Sequence, residues 1–419
     1  MKGPVRRVAL YGYLGSSNLG NDASFETVVS WFEAHHPKID LRCITIAPGQ
    51  IEKQYGIASV PLAWRSPRRA RSRNTETLQN LLGRLLDVPR SYRLAGSVDA
   101  VIVPGMGVLE DSLTARPWAL PYWLFLIALA CRIRGRRFVL LDVGAERAAN
   151  PVTRWLFAAT ARLATHASFR DRSSAAVMAR AGVRGRHVVA PDLAFAHPAS
   201  TVAEPIGGRV VVGVMAYHGP GDNPRRGAAV RRHYVATLAD ALAALAGSGQ
   251  RITLVGGDQV DIDVARAVRA AVLTLGPDLP GDAVVIREVT TFAELTCEMR
   301  SAEVVVASRF HNVICALRLG RPTVAVGYAD KCRNLMDALG LDDYHQHIDQ
   351  LDAGRLIAQV WAAQRDAEAL AAHIRAAGSH YGGEVESLLR RVTREELGLD
   401  AHQPQQLAVS DGTGVWRAD

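Results

Sequence analysis

The sequence predicts an α/β protein of two doubly wound, Rossmann-like domains facing a cleft, and three observations carry that expectation. Short apolar, β-branched runs alternate with helix-length amphipathic segments, the pattern of parallel sheets with crossover helices. At 419 residues the chain exceeds one ordinary hydrophobic core. A Pro/Gly-containing stretch over 197–208 interrupts the alternation. These place a first domain at 1–200 and a second at 201–350, then C-terminal helices over 351–400 and a disordered tail over 401–419.

In the first domain, Val8-Ala9-Leu10-Tyr11 reads as a buried strand that empties into a Gly-rich loop, Gly12 to Asp22, before a helix over 23–35. Glycines such as Gly12 and Gly15 let the backbone turn tightly and approach a ligand, while Asn18 and Asp22 can bond sugar hydroxyls or cap the helix. The loop has neither the Gly-Lys-Ser/Thr of a P-loop nor a dinucleotide fingerprint. A second strand at 41–46 decays into a stretch where Arg65, Arg68, Arg69, Arg71 and Arg73 fall within nine positions. Such a run is either a solvated loop or a contact for an anionic lipid headgroup or lipid-linked diphosphate. It lacks interleaved aromatics, so no nucleic-acid partner is expected.

A strand over 99–103 ends in another Gly loop trailed by Glu110 and Asp111, and a helix over 118–134 leads to a strand over 137–143. That helix contains Pro121, and its apolar stretch falls short of the ~20 residues needed to span a bilayer. After a helix over 152–164, the short strand 167–169 leaves Arg170 at a carboxyl end, where it either pairs with Asp171 or Asp192 or holds an anion. With a strand at 188–190, the first domain holds five or more parallel strands.

The second domain opens on an apolar strand at 209–215 and a helix over 229–246. A strand at 252–255 with the polar exit Gly256-Gly257-Asp258 follows, then a helix over 261–275, a strand at 284–286 and a helix over 292–301. Next comes the densest stretch: strand Val304-Val305-Val306, junction Ser308-Arg309-Phe310-His311, a helix with Val313, Ile314 and Leu317, and the stop Gly320-x-Pro322. Ser308 is expected to cap the helix, whose first turn then offers unpaired N–H groups and partial positive charge. An arginine can grip a phosphate or carboxylate with two parallel bonds, and a histidine can pass a proton near neutral pH; the alternative is that Arg309 pairs with a neighbouring carboxylate and His311 is a satisfied helix histidine. A last strand over 322–326 exits through Tyr328 to Lys331. Asp342-Asp343-Tyr344-His345-Gln346-His347 reads as a loop without a third convincing ligand, so no metal is expected.

Composition narrows the class. With 48% hydrophobic and 21% charged residues the chain has ample core material and is not a disordered one. The net charge of +8 by itself suits anionic substrates, a membrane surface or nucleic acid equally well. Five scattered cysteines without a CxxC, and an N-terminus without a signal-peptide core, point to a cytoplasmic protein, with contact at the inner face of a membrane compatible.

Three segments together resemble the polysaccharide pyruvyl transferases: Gly12-Tyr13-Leu14-Gly15-x-x-Asn18-Leu19-Gly20-Asn21-Asp22-Ala23; Phe169-Arg170-Asp171-x-Ser173; and Ser308-Arg309-Phe310-His311 with Ala316, Gly320, Pro322, Tyr328 and Lys331. The resemblance spans residues 8 to about 345 and is most specific in the Arg-x-His segment with its downstream Gly-x-Pro. It implies a GT-B-like architecture and transfer of pyruvate from phosphoenolpyruvate onto a saccharide or lipid-linked saccharide as a ketal. Carried over by position, Arg309 and His311 match the family's Arg-x-His, Arg170 its anion-binding arginine and Lys331 its lysine beyond the last strand. The Gly12–Asp22 loop and Asp111 would face the acceptor. The chain departs from the family's usual Gly-Asp-Glu with Gly20-Asn21-Asp22. No cofactor beyond the donor substrate is implied, and a homo-oligomer is compatible. Two alternatives compete: a GT-B glycosyltransferase using a nucleotide sugar, and a non-catalytic saccharide-binding homologue.

Overall fold

The structure is a computed structural model and describes residues 5–15, 18–64, 73–110, 117–183, 188–198, 204–217 and 224–400. By their contacts these residues fall into two compact units, one of 1–16, 21–197 and 382–419 and one of 17–20 and 198–381. Asp111, most of the arginine run and the tail from residue 401 lie outside the described residues.

The first unit strings together β1 (Arg7–Gly12), α1 (Leu19–His35), β2 (Asp40–Thr45), α2 (Pro48–Tyr55), β3 (Ser59–Pro61) and α3 (Arg73–Gly96). It continues with β4 (Ala100–Pro104), α4 (Leu120–Ile133), β5 (Arg137–Val143), α5 (Pro151–Leu163), β6 (His166–Phe169), α6 (Arg172–Arg180) and β7 (Val188–Val189). The strands form one sheet in the order β3-β2-β1-β4-β5-β6-β7. All its pairings are parallel, so every strand ends on the same edge. Val8, Ala9, Leu10, Val101, Val103, Val139 and Leu140 are sealed from solvent, as a sheet covered on both faces requires. The winding reverses between β1 and β4, the position where α/β sheets open a crevice for ligands.

The second unit contains β8 (Arg209–Gly213), α7 (Pro224–Gly247), β9 (Arg251–Val255), α8 (Ile262–Leu275), β10 (Val284–Arg287) and α9 (Phe292–Arg300). It goes on with β11 (Val304–Ala307), α10 (Phe310–Arg318), β12 (Thr323–Gly327), α11 (Asp330–Ala338), β13 (His345–His347), α12 (Ala353–Arg365) and α13 (Ala367–Arg391). Residues from Gly382 onward group with the first unit. The sheet runs β10-β9-β8-β11-β12-β13 and is again parallel throughout, with its reversal between β8 and β11. The stretch read as a loop at 342–347 is in part a strand: β13 pairs with β12, placing His345 opposite Ala325 and His347 opposite Gly327.

Four of the five cysteines, Cys43, Cys131, Cys315 and Cys332, are buried, while Cys297 on α9 is exposed. Burial pushes the Cys131 and Cys332 thiols up to about 12 and that of Cys315 up to about 11. Among the described residues no helix is long and apolar enough to cross a membrane.

Candidate active site

At the reversal point of the second sheet, the exits of β8, β9, β11 and β12 bring their polar residues to one edge. Ser308 begins the turn after β11, and its N–H donates to the Gly213 carbonyl at the end of β8 (2.9 Å). The helix that follows starts one residue later than expected. Arg309 occupies the cap position of α10 and makes no side-chain cap bond. The Ser308 hydroxyl instead shares a hydrogen bond of 2.8 Å with the Tyr234 hydroxyl. Tyr234 is itself buried, and that burial pushes its phenol up to about 12, so it serves as a neutral partner.

Arg309 takes the ion-pair arrangement, and its partner is Asp261, a carboxylate the sequence did not single out. Its Nε–H donates to Asp261 Oδ2 (2.5 Å) and its Nη2–H to Asp261 Oδ1 (2.7 Å). Asp261 is fully buried, and its oxygens also accept from the Ala216 N–H (2.8 Å) and the Gly257 N–H (2.9 Å). Burial pulls the guanidinium pKa down, and the Asp261 pair more than offsets it, so the net shift is upward. The Arg309 side chain keeps 22% of its surface exposed while Asp261 keeps none. The guanidinium is therefore fixed from behind, with Nη1 outside the pair.

Two glycines make this packing geometrically allowed. A side chain at Gly257 would come within 2.6 Å of Arg309 Cδ, and one at Gly213 within 2.6 Å of Asn312 Nδ2. His311 stands half-buried in the first turn of α10, its ring edge-on to Phe310 at 5.5 Å. Lys331, at the start of α11, places Nζ 5.5 Å from the Phe310 ring and 5.9 Å from the Tyr328 ring, distances at which an ammonium is attracted to an aromatic face. Tyr328 in turn lies 5.8 Å from Tyr217, which follows β8. Ser308, Arg309, His311 and Lys331 thus share one edge of one sheet.

Asn18 also groups with the second unit, where the neighbouring Leu19 N–H donates to the Gly257 carbonyl (3.3 Å); the other expected residues that are described lie in the first unit. The stretch read as a loop from Gly12 to Asp22 is helical from Leu19, where α1 begins, and residues 17–20 group with the second unit; the Gly15 N–H donates to Asp22 Oδ1 (2.9 Å), and Asn21 Nδ2 to the Tyr13 carbonyl (3.3 Å). Gly12 (φ +155) and Gly15 (φ +66) adopt backbone that favours glycine, and a Cβ at Gly12 would meet Met106 Cε at 1.9 Å. Asn18, which groups with the second unit, takes the capping option, accepting from the Gly20 N–H (3.2 Å) at the start of α1.

Arg170 follows β6 with a side chain only 3% exposed, paired to Glu110 and, at 3.4 Å, to Asp192. It takes the ion-pair arrangement, with Asp192 rather than Asp171 as a partner. Asp171 caps α6, accepting from the Ser174 N–H (2.7 Å). Burial opposes the Arg170 charge, and Glu110, Asp192, Asp171 and Asp142 outweigh it. Asp142 is the residue missed here. It is fully buried in β5 with left-handed backbone (φ +57), where the pairing with β6 shifts register. Burial first, then Asp192, raise its carboxyl well above the ordinary range, while Arg170 and the Leu193 N–H pull the other way.

Folding therefore takes up a proton at Asp142, and that contribution to stability declines as pH rises above the ordinary carboxyl range. Asp142→Asn tolerates left-handed backbone and cannot ionise. Its melting temperature relative to the parent should rise steadily between about pH 4 and about pH 7. A constant difference across that range would show that Asp142 titrates alike in the folded and unfolded chains.

Sequence comparison adds the decisive observation: the profile of the polysaccharide pyruvyl transferases matches residues 18–330. The chain belongs to that family. The match covers the Gly-rich loop from Asn18, Arg170, the Arg-x-His junction and the β12 exit up to Asp330, one residue short of Lys331. This pyruvyl transferase family member is thereby placed in a family of enzymes. No curated protein matches it in sequence.

Solved structures place the fold in the GT-B class. A Listeria monocytogenes protein assigned as a UDP-N-acetylglucosamine 2-epimerase superposes with a TM-score of 0.63 at 12% identity, over 97% of this chain and 100% of the other. The UDP-GlcNAc 2-epimerase of Neisseria meningitidis gives 0.59 at 11% identity over 93% and 100%. MurG of Acinetobacter baumannii gives 0.50 at 12% identity over 91% and 99%. At such identities the likeness concerns architecture alone.

Proposed function

We propose that this enzyme transfers pyruvate from phosphoenolpyruvate to a saccharide, forming a pyruvate ketal and releasing phosphate, in the making of a cell-surface polysaccharide or glycolipid. The observation that carries the reading is the Arg309 guanidinium, immobilised by Asp261 beside His311 and Lys331 at the reversal point of the second sheet. Phosphoenolpyruvate bears a phosphate and a carboxylate, so its site needs fixed cations, and Arg309, Lys331 and the start of α10 supply them. Lys331 is a soft second clamp, since its ammonium rests on aromatic faces.

The chemistry is one of proton traffic. A sugar hydroxyl adds to the enol carbon that carries phosphate while the methylene carbon gains a proton and becomes a methyl group. A second hydroxyl of the same sugar then displaces phosphate and closes the ketal, its proton leaving with the phosphate. One acid–base group at the reacting carbons serves both steps, and His311 fills that role. The scheme calls on no metal or organic cofactor. The Gly-rich stretch from Gly12 to Asp22, with Asp111, serves the acceptor, and Arg170 belongs to the first unit's buried framework. The enzyme works in the cytoplasm, against the inner face of a membrane where its acceptor is lipid-linked.

The test is direct. Incubating the protein with phosphoenolpyruvate and free or lipid-linked glycans should release phosphate and add one pyruvate ketal per acceptor by mass spectrometry. A hexose-sized increment from a nucleotide sugar would make it a glycosyltransferase, and no phosphate release with any acceptor would leave it a binding protein.

A further inference from the structure

The most unusual surface of the first unit is α3, whose polarity is inverted in its middle turns. Its inward face carries Asp87, a buried carboxylate that accepts from the Trp64 N–H (2.7 Å) and from Trp123 Nε1–H on α4 (2.8 Å). Its outward face carries Leu82, Leu85 and Val88, exposed by 52%, 62% and 47%, and one turn on, Tyr92. These positions fall three, three and four apart, so they form a single stripe along the helix. Trp118, also exposed, flanks the stripe and holds the Arg84 guanidinium over its ring at 5.4 Å. The Arg134 guanidinium covers Tyr92 at 3.8 Å. A helix that buries Asp87 and exposes Leu82, Leu85 and Val88 has been built for something other than water.

Charge says what covers it. The five arginines between Arg65 and Arg73 lead directly into α3 with no acidic residue among them, and Arg84 and Arg93 follow along the helix, while Arg90 is turned to the Pro61 carbonyl (2.8 Å). An apolar stripe with exposed Trp and Tyr beside it, fed by dense arginine, matches an anionic bilayer: hydrocarbon for the leucines, the interfacial layer for the aromatic rings, phosphates for the guanidiniums. A second copy of this chain would bring the same positive charge to the same place and be repelled.

We propose that the outer face of α3 with Trp118 docks this protein on an anionic membrane surface. The proposal rests on the reading that the enzyme works against a membrane, and it names the surface that does so.

The experiment is sedimentation of the full chain, without phosphoenolpyruvate, with phosphatidylcholine vesicles and with vesicles that also contain phosphatidylglycerol. The parent should pellet only with the latter, and raising sodium chloride from about 0.1 M to about 1 M should release it, since the screening length falls from about 10 Å to about 3 Å. Leu85→Glu with Val88→Glu sets two negative charges on the stripe and should weaken vesicle affinity at least about tenfold. The same variant should keep the parent's melting temperature and its phosphate release with a soluble acceptor. Equal pelleting of parent and variant, or no pelleting with phosphatidylglycerol, overturns the proposal. So does a dimer of the parent that the variant dissolves. Vesicle binding is read without catalysis, so loss of the pyruvyl transfer reading and loss of this docking surface are separately visible. The salt readout needs no substitution and survives a variant that fails to fold.

Discussion

His311→Ala is expected to lower phosphate release from phosphoenolpyruvate, measured with acceptor present, by about 10²–10⁴-fold, the usual worth of a positioned acid–base group. The fold should not notice. His311 lies half-buried in the first turn of α10, and alanine is the best helix former for that position. The hydrophobic face of the helix is carried by Val313, Ile314 and Leu317, all sealed from solvent. An unchanged melting temperature with collapsed turnover is therefore the expected pair of results. Because proton transfer and donor binding are separate tasks, phosphoenolpyruvate affinity by calorimetry should change little. Turnover near the parent's would remove the imidazole from the chemistry.

Asp261→Asn should show the opposite split, with donor affinity lost first. The carboxylate takes two bonds from Arg309 and two from backbone N–H groups, filling its acceptor capacity with donors alone. An amide of the same shape offers one acceptor oxygen and turns an NH₂ group toward one of those donors. The guanidinium then loses its brace, and phosphoenolpyruvate affinity by calorimetry is expected to fall about tenfold to a hundredfold, or roughly 1.4–2.8 kcal/mol. Breaking the buried pair should also cost stability, on the order of 2–4 kcal/mol, visible as a lower melting temperature. A purely structural role would lower the melting temperature and leave donor affinity at the parent's value. Arg309→Ala should weaken the donor at least as far, and unchanged affinity in that variant would take Arg309 out of the donor site.

Much of the architecture is legible because buried parallel strands announce themselves. Runs such as Val210-Val211-Val212 and Val304-Val305-Val306 are apolar at every position, and those strands are buried on both faces. The elements that escaped are short or carry no period. β3 and β13 have three residues each and sit at sheet edges, too brief for a periodic signal. α3 was hidden by the inverted polarity of its middle turns, since Leu82, Leu85 and Val88 turned outward and Asp87 turned inward defeat a reading based on burial.

The site was legible on one side only. Arg309, His311 and Lys331 stand at strand exits, where topology makes a functional reading natural. Their supports are distant in sequence and unremarkable in kind. Asp261 lies 48 positions before Arg309, and Glu110 lies 60 before Arg170. Nothing local marks either as a partner. The nearest hint was the Gly256-Gly257-Asp258 exit, whose second glycine leaves room for the Arg309 side chain. Asp142 offered a plainer clue, a single acid inside the apolar run Phe138 to Val143.

The distribution of sulfur has a practical consequence. Thiols buried and held protonated at Cys131, Cys315 and Cys332 are poor nucleophiles at neutral pH, and Cys43 is equally enclosed. Maleimide reagents should therefore attach to the native protein at Cys297 alone, giving a singly dye-tagged enzyme for fluorescence work without any engineering of the other four.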